Sequence, residues 1–336
     1  MTVLGVDVGG ANIKIATGDG FAHSFPFAIW KKKHELVVNL KHVLGMTPVF
    51  DRVAVTMTAE LADCFGSKAE GVRFVLAAIR EVFTDYPVKV YTVTGKMVSL
   101  EDGILDPLSV AAANWHALGR FGGQWFQGKS GLVVDVGSTT TDIIPLIDGQ
   151  VASKSKSDLC RLLAGELVYL GVERTPICGI TDYVNFRGKR VPVANEWFAT
   201  SIDVLLALGL FDEEPENHGT ADGRPATREF AKTRLARMIC ADGDEVTWTE
   251  INEMARELNS IMVKKIATGI RQVVEELKMN VELTVISGHG DFLAEAALDS
   301  AGVVTHREYL TDLIGANAAR CAPAYALAIL AEEAWD

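Results

Sequence analysis

Cysteine is scarce, and the five that occur do not pair: Cys64, Cys160, Cys178, Cys240 and Cys321 are scattered and form no Cys-x-x-Cys. That pattern excludes a disulfide framework and a thiolate zinc site, and it fits reduced thiols and a cytoplasmic address. The seven histidines form no His-Glu-x-x-His and no close pair. A divalent metal would therefore fall to carboxylates, water and substrate phosphates, which points to Mg2+ over Zn2+. Positive charge is short too. With 32 basic against 44 acidic side chains and a net charge of -12, the chain lacks the basic surface that nucleic acid or an anionic membrane requires. No apolar run approaches the ~18 residues of a membrane span, and the first residues enter a strand pattern without the order of a leader. Small molecules are the expected partners, and a homodimer is compatible with the sequence.

What is present is apolar mass and a repeat. The chain of 336 residues is 49% apolar, enough to bury two cores. Leu4–Ile15 and Leu132–Ile143 read alike: a β-branched run ends at an Asp, a Gly follows two residues later, and apolar alternation resumes after a polar stretch. Each copy is a strand, an exposed turn and a strand, so two similar lobes are expected. The first lobe is assigned to residues 1–128, the second to 129–315 with a helical insertion at about 172–280, and the last helix, 316–336, is expected to pack back on the first lobe. Between these landmarks the periodicity predicts helices over Lys68–Phe83, Leu159–Leu170, Arg228–Ala241 and Ile251–Lys278, strands over Val53–Thr56, Val88–Val93 and Val281–Ile286, and an irregular Gly/Pro-containing stretch after Leu170 through Arg190.

The repeated turns carry the chemistry. Asp7 ends a strand, Gly9 and Gly10 with Asn12 let backbone N–H groups approach an anion, and Lys14 returns on the next strand. Such a carboxylate holds Mg2+ and such a cation offsets phosphate charge. In the second copy Asp135 precedes Gly137, Ser138, Thr139 and Thr140, whose hydroxyls and N–H groups suit phosphoryl oxygens. Asp142 offers a third carboxylate for metal. A single Gly-rich turn is commonly structural, and it is the repetition that favours phosphate. Ser287–Gly290, between a strand and a helix, reads either as a second donor turn through Gly288 and Gly290 or as a plain β-α connection. Glu60 follows a strand where open sheets form ligand crevices, and is either a general base or a solvated acid. Arg161, Glu166, Arg174 and Arg228 are either substrate clamps or ordinary surface charges. Gly123–Ser130 satisfies the P-loop spacing, but a helix precedes it and a strand follows, the reverse of the P-loop order.

The paired Asp-x-Gly turns resemble the two phosphate motifs of the actin, sugar kinase and Hsp70 superfamily. The segments Thr56–Asp63, Ala112–Trp115, Gly165–Tyr169, Arg174–Pro176, Ala194–Ala199, Arg224–Arg228 and Ala236–Met238 resemble one subfamily of it. That subfamily is the hydantoinase/oxoprolinase-like proteins of tetrahydromethanopterin-linked one-carbon transfer. The resemblance spans nearly the whole chain and implies a two-lobed α/β actin-like (ribonuclease H-like) fold with mixed sheets. It also implies a transferase of methanofuran-type cofactor biosynthesis, which condenses an aminomethylfuran-methyl diphosphate with a phenolic acceptor and releases pyrophosphate. Asp7, Lys14, Glu60 and Asp135 are then the expected catalytic residues. The superfamily's usual chemistry leaves two other readings open: an ATP-dependent kinase or amidohydrolase, and a regulatory module without turnover.

Overall fold

The run Val3–Val8 is buried at every position, as expected of a strand covered on both faces. In the computed structural model, which describes residues 1–335, this strand, β1, is a central member of the first sheet. Its neighbours are β2 (Asn12–Thr17), β3 (Ala22–Pro26), β4 (Arg52–Met57), β5 (Val88–Tyr91) and β6 (Met97–Ser99), in the order β3-β2-β1-β4-β5-β6. β1 runs antiparallel to β2 and parallel to β4.

The second sheet repeats the plan. Its strands are β7 (Gly131–Val136), β8 (Thr141–Ile147), β9 (Gln150–Val151), β10 (Leu167–Val168), β13 (Leu283–Gly288) and β14 (His306–Tyr309), ordered β10-β8-β7-β13-β14 with β9 on β8. The remaining pair, β11 (Tyr183–Phe186) and β12 (Lys189–Pro192), forms a separate hairpin. Strands β8-β7-β13-β14 reproduce β2-β1-β4-β5 in order and sense: β7 is antiparallel to β8 and parallel to β13, which is parallel to β14. This is the two-lobed α/β duplication expected of an actin-like fold.

Helices cover the sheets and set the turns at the cleft. Lys68–Val82 starts cleanly because the Ser67 hydroxyl accepts from the Glu70 N–H, and its buried stripe Val72, Val75, Leu76 and Ile79 packs into the first core. In the second lobe the insertion supplies Ser201–Leu208, Arg228–Arg237 and the 30-residue helix Trp248–Leu277, which opens with a reciprocal capping box between Thr247 and Glu250. Helix Ala322–Trp335 lies across β1, β2 and β4 of the first sheet. The approach is so close at Gly5 that a Cβ there would sit 2.0 Å from the Ala324 carbonyl oxygen, so any side chain at position 5 would push the helix off.

Three local expectations are corrected. The helix foreseen over Leu159–Leu170 stops at Leu163, because Gly165 takes φ +74° and Leu167–Val168 then pair with β8. The segment leading to Arg190, read as irregular, is the β11–β12 hairpin, turned at Arg187–Gly188 with both residues at positive φ. The C-terminal helix is broken at Cys321 into Ala316–Arg320 and Ala322–Trp335. Gly123–Ser130 forms a short 3-10 turn leading into β7, which is not a P-loop geometry.

Candidate active site

The two turns have the same construction. Gly9 N–H donates to the Asn12 carbonyl at 2.9 Å, and Gly137 N–H donates to the Thr140 carbonyl at 2.9 Å. Both glycine N–H groups are thus spent closing the turns. The N–H groups of Gly10, Ala11, Ser138 and Thr139 have no backbone partner among the described residues and are the ones left to meet an anion. The second turn is fixed from behind by the chain at 171–174. Val172 N–H bonds the Gly137 carbonyl at 3.0 Å, and Glu173 and Arg174 N–H bond the Ser138 carbonyl at 3.0 and 3.1 Å. This seating requires Gly171, where a Cβ would lie 2.5 Å from the Ser138 and Thr139 backbone.

Asp7 and Asp135 occupy equivalent places on the two sheets. In register beside Asp7 are Lys14 on β2 and Thr56 on β4; beside Asp135 are Asp142 on β8 and Ser287 on β13. Each carboxylate therefore has a hydroxyl residue on its parallel neighbour; the Thr56 hydroxyl lacks a partner among the described residues, and the Ser287 hydroxyl faces Asp135 and lowers its pKa. Burial pushes Asp7 up to about 6, with Lys14 pulling it down and the charges of Asp135 and Asp142 pushing it up. Asp135 is raised by burial and by Asp142, and lowered by Lys14. The two lobes thus bring these carboxylates and Lys14 into one electrostatic cluster. Asp7 Oδ1 is buried with no partner among the described residues, a costly arrangement for an empty carboxylate.

Between the turns opens a cavity of about 470 Å3, walled by Gly10, Ala11, Thr139 and Thr140 of the turns and by Trp30, Tyr169 and Arg174; Asp7, Lys14 and Asp135 are not among its lining residues. Its walls settle where the other expected residues stand. Arg161 is buried, donates to Asp142 Oδ1 at 2.8 Å and to the Glu166 carbonyl at 2.9 Å, and lies 4.2 Å over the Trp115 ring. It is committed to Asp142, so neither is a free clamp or a free metal ligand. The Glu166 carboxylate accepts from Ser153 at 2.6 Å. Arg228, on the outer insertion, donates to the Ala207 carbonyl and packs on Trp248, away from the cavity wall.

Gly290 N–H bonds the Val136 carbonyl at 3.0 Å, and Gly288 sits against that carbonyl, so this turn serves β7 and has little left for an anion. His289 between them is buried, has no partner on either ring nitrogen among the described residues, and is held down to about 4 by burial, Lys14 and Arg320. Glu60 is 1% exposed, both its carboxylate oxygens lack partners among the described residues, and burial pushes it up to about 7. It lies behind the cavity wall formed by Thr58, Leu61 and Ala62. Sequence reasoning passed over Trp30 and Tyr169 as site residues. Tyr169 lies in one of the subfamily segments, whereas Trp30 belongs to no motif, and only the meeting of the lobes brings it to the cavity.

A family model described as hydantoinase/oxoprolinase matches residues 51–334. The chain belongs to the hydantoinase/oxoprolinase family. Across this family member's whole length it is similar to a protein of Methanocaldococcus jannaschii named (4-{4-[2-(gamma-L-glutamylamino)ethyl]phenoxymethyl}furan-2-yl)methanamine synthase, at 35% identity over 99% of this chain and 98% of that one. That alignment includes the first turn, which precedes the family match. The named relative being a synthase, this family member is an enzyme. Among solved structures it is similar to nucleotide-free acetone carboxylase, at TM-score 0.51 and 13% identity over 90% of this chain and 46% of that one. It also resembles an archaeal actin homolog, at TM-score 0.45 and 13% identity over 99% and 100% of the two chains. No helix among the described residues is long and apolar enough to cross a membrane.

The residues fit Mg2+ in one particular way. No three His, Cys, Asp or Glu side chains among the described residues form a cage of their own. Asp7 and Asp135, both buried and both beside Lys14, are the two turn acids without an arginine partner among the described residues, and two carboxylates completed by water and substrate phosphates are the usual setting for this ion.

Proposed function

We propose that this enzyme is a pyrophosphate-releasing transferase that forms an aryl–alkyl ether in methanofuran-type one-carbon cofactor biosynthesis. Its donor is an aminomethylfuran-methyl diphosphate and its acceptor the phenol of a glutamyl-tyramine or tyrosine derivative. The observation that carries the reading is the pair of matched turns, with Asp7, Lys14 and Asp135 in one cluster, in a chain aligned end to end with the named synthase.

In this reading Gly10, Ala11, Ser138 and Thr139 orient the diphosphate with their free N–H groups. Lys14 offsets the charge that grows on the bridging oxygen as the furfuryl C–O bond breaks. Asp7 and Asp135 would hold Mg2+, which supplies further charge neutralisation to the leaving group. The electron pair leaves with pyrophosphate, the phenol oxygen attacks the resonance-stabilised carbon, and the phenolic proton passes to a base. Glu60, with its carboxyl held near 7, has the proton affinity for that task, acting through Thr58 or water because it stands behind the wall.

The experiment is an incubation of protein, Mg2+, furan diphosphate and tyramine-type acceptors without nucleotide. Pyrophosphate and ether formed in equal amounts are expected, and dependence on ATP with ADP as product would overturn the reading. The family description favours an ATP-dependent amidohydrolase as the second reading, and ADP formation with a cyclic amide would support it.

A further inference from the structure

Two arginines line the cavity, and they differ in commitment. Arg161 is bound to Asp142 and the Glu166 carbonyl. Arg174 has no side-chain hydrogen bond and no ion pair among the described residues, although its guanidinium lies 4.0 Å over the ring of Trp30. Trp30 comes from the first lobe and Arg174 from the second, where its own N–H is tied to the Ser138 carbonyl of the second turn. The Trp30 ring covers one side of the guanidinium while its N–H groups stay without partners among the described residues, and such a group matches a carboxylate with two parallel donors. Burial disfavours the charged form of Arg174 and only Tyr169 and Glu173 offset it, so an anion arriving there gains more than it would at the surface.

The same cavity carries an unspent carboxylate. Of its three acids, Asp142 is paired with Arg161 and Asp158 with Lys68 at 3.1 Å, while Asp63 has no ion pair among the described residues. We infer that Arg174 and Asp63, with Trp30 as the stacking surface, form the acceptor subsite and recognise an α-amino-acid head, Arg174 taking its carboxylate and Asp63 its ammonium. Resting on the proposed transfer reaction, this makes Arg174 a specificity-determining residue. The phenol end of the acceptor then points inward to the turns. Both a glutamyl tail and a tyrosine backbone carry such a head, at different distances from the phenol, and the subsite serves whichever of the two the enzyme prefers.

The test compares γ-glutamyltyramine, tyrosine and tyramine, which lacks the carboxylate, as acceptors for the full-length enzyme with saturating furan diphosphate. Loss of one charge-assisted carboxylate contact corresponds to roughly 10- to 100-fold in affinity. In Arg174→Met the acceptor KM for whichever head-bearing acceptor the wild type prefers is expected to rise by about that factor. The KM for the diphosphate should stay put, and the change with tyramine should be much smaller than with the head-bearing acceptors. Asp63→Asn should raise the same acceptor KM by a smaller factor, roughly severalfold. An Arg174→Met enzyme that loses tyramine and head-bearing acceptors equally, or whose diphosphate KM rises instead, overturns the assignment. Should the wild type release no pyrophosphate with any acceptor, the transfer reading fails on its own. Calorimetric binding of the same acceptors then decides the subsite: equal affinity in wild type and Arg174→Met overturns it, and selective weakening of the head-bearing ones supports it.

Discussion

The two hairpins share a backbone and differ in charge. Opposite Asp7 the register places Lys14, and at the matching position opposite Asp135 it places Asp142. The carboxylate in the second lobe is then neutralised by Arg161 at 2.8 Å, in a pocket sealed by Trp115, whereas Lys14 is left facing the cluster of Asp7, Asp135 and Asp142. One scaffold thus serves two ends. The second turn is pinned by residues 171–174 and rich in hydroxyls, and the first turn carries the lysine. Similar strands with opposite partners show that the duplication fixes where side chains stand, while single substitutions decide what each does.

Changes at Asp7 and Asp135, the acids proposed to hold Mg2+, should have the largest effect on that contrast. Asp7→Asn and Asp135→Asn are each expected to lower turnover by roughly 10³-fold or more, as for loss of a group that stabilises charge in the transition state, with circular dichroism unchanged. Removing Mg2+ with a chelator should do the same to the wild type, and adding Mg2+ back should restore it. The account also sets a sign for stability. Because burial raises the Asp7 pKa to about 6, the folded state holds that proton longer than the unfolded one. Asp7 therefore costs stability increasingly as pH rises from about 4 to about 6, and the full cost persists above. Asp7→Asn should melt several degrees higher than wild type at pH 7.5 without metal, and the gap should close near pH 4.

Next in size is the second lobe's own pair. Arg161→Met leaves the buried Asp142 uncompensated, a loss of about 3–5 kcal/mol, and most of it should return in Arg161→Met/Asp142→Asn. A denaturation series of the two variants measures this, and equal losses would mean that the uncompensated Asp142 charge is not what destabilises Arg161→Met. The smallest expected effect is on the pH profile. With Glu60 raised to about 7, kcat/KM should fall below that pH as the base becomes protonated. Glu60→Gln should flatten this limb, and a profile unchanged by the substitution would remove Glu60 from the reaction.

How far the sequence carried these conclusions depends on range. The turns and their acids were legible because a strand that ends in Asp-x-Gly writes its geometry into adjacent residues, and the second copy doubles the signal. The break at Gly165 and the short strand β10 were not. A glycine inside an apolar run reads as a tolerated helix residue until its positive φ, and the pairing of Leu167 and Val168 with Asp142 and Thr141, are seen. The commitments of charged residues were equally hidden. Arg161 and Arg174 look alike in sequence, and only the fold sends one to Asp142 and the other to Trp30 on the opposite lobe. Trp30 could not be assigned for the same reason: its role depends on a residue 144 positions away (174 − 30).

The central claim is that the two turns together hold one diphosphate, and calorimetric titration with pyrophosphate and Mg2+ tests it most directly. The wild type is expected to bind one pyrophosphate per chain, and Lys14→Met in the first turn and Thr139→Val in the second should each weaken that site at least about tenfold. Undiminished binding after either change would mean that a single turn, or some other part of the molecule, carries the phosphate, and would contradict the account.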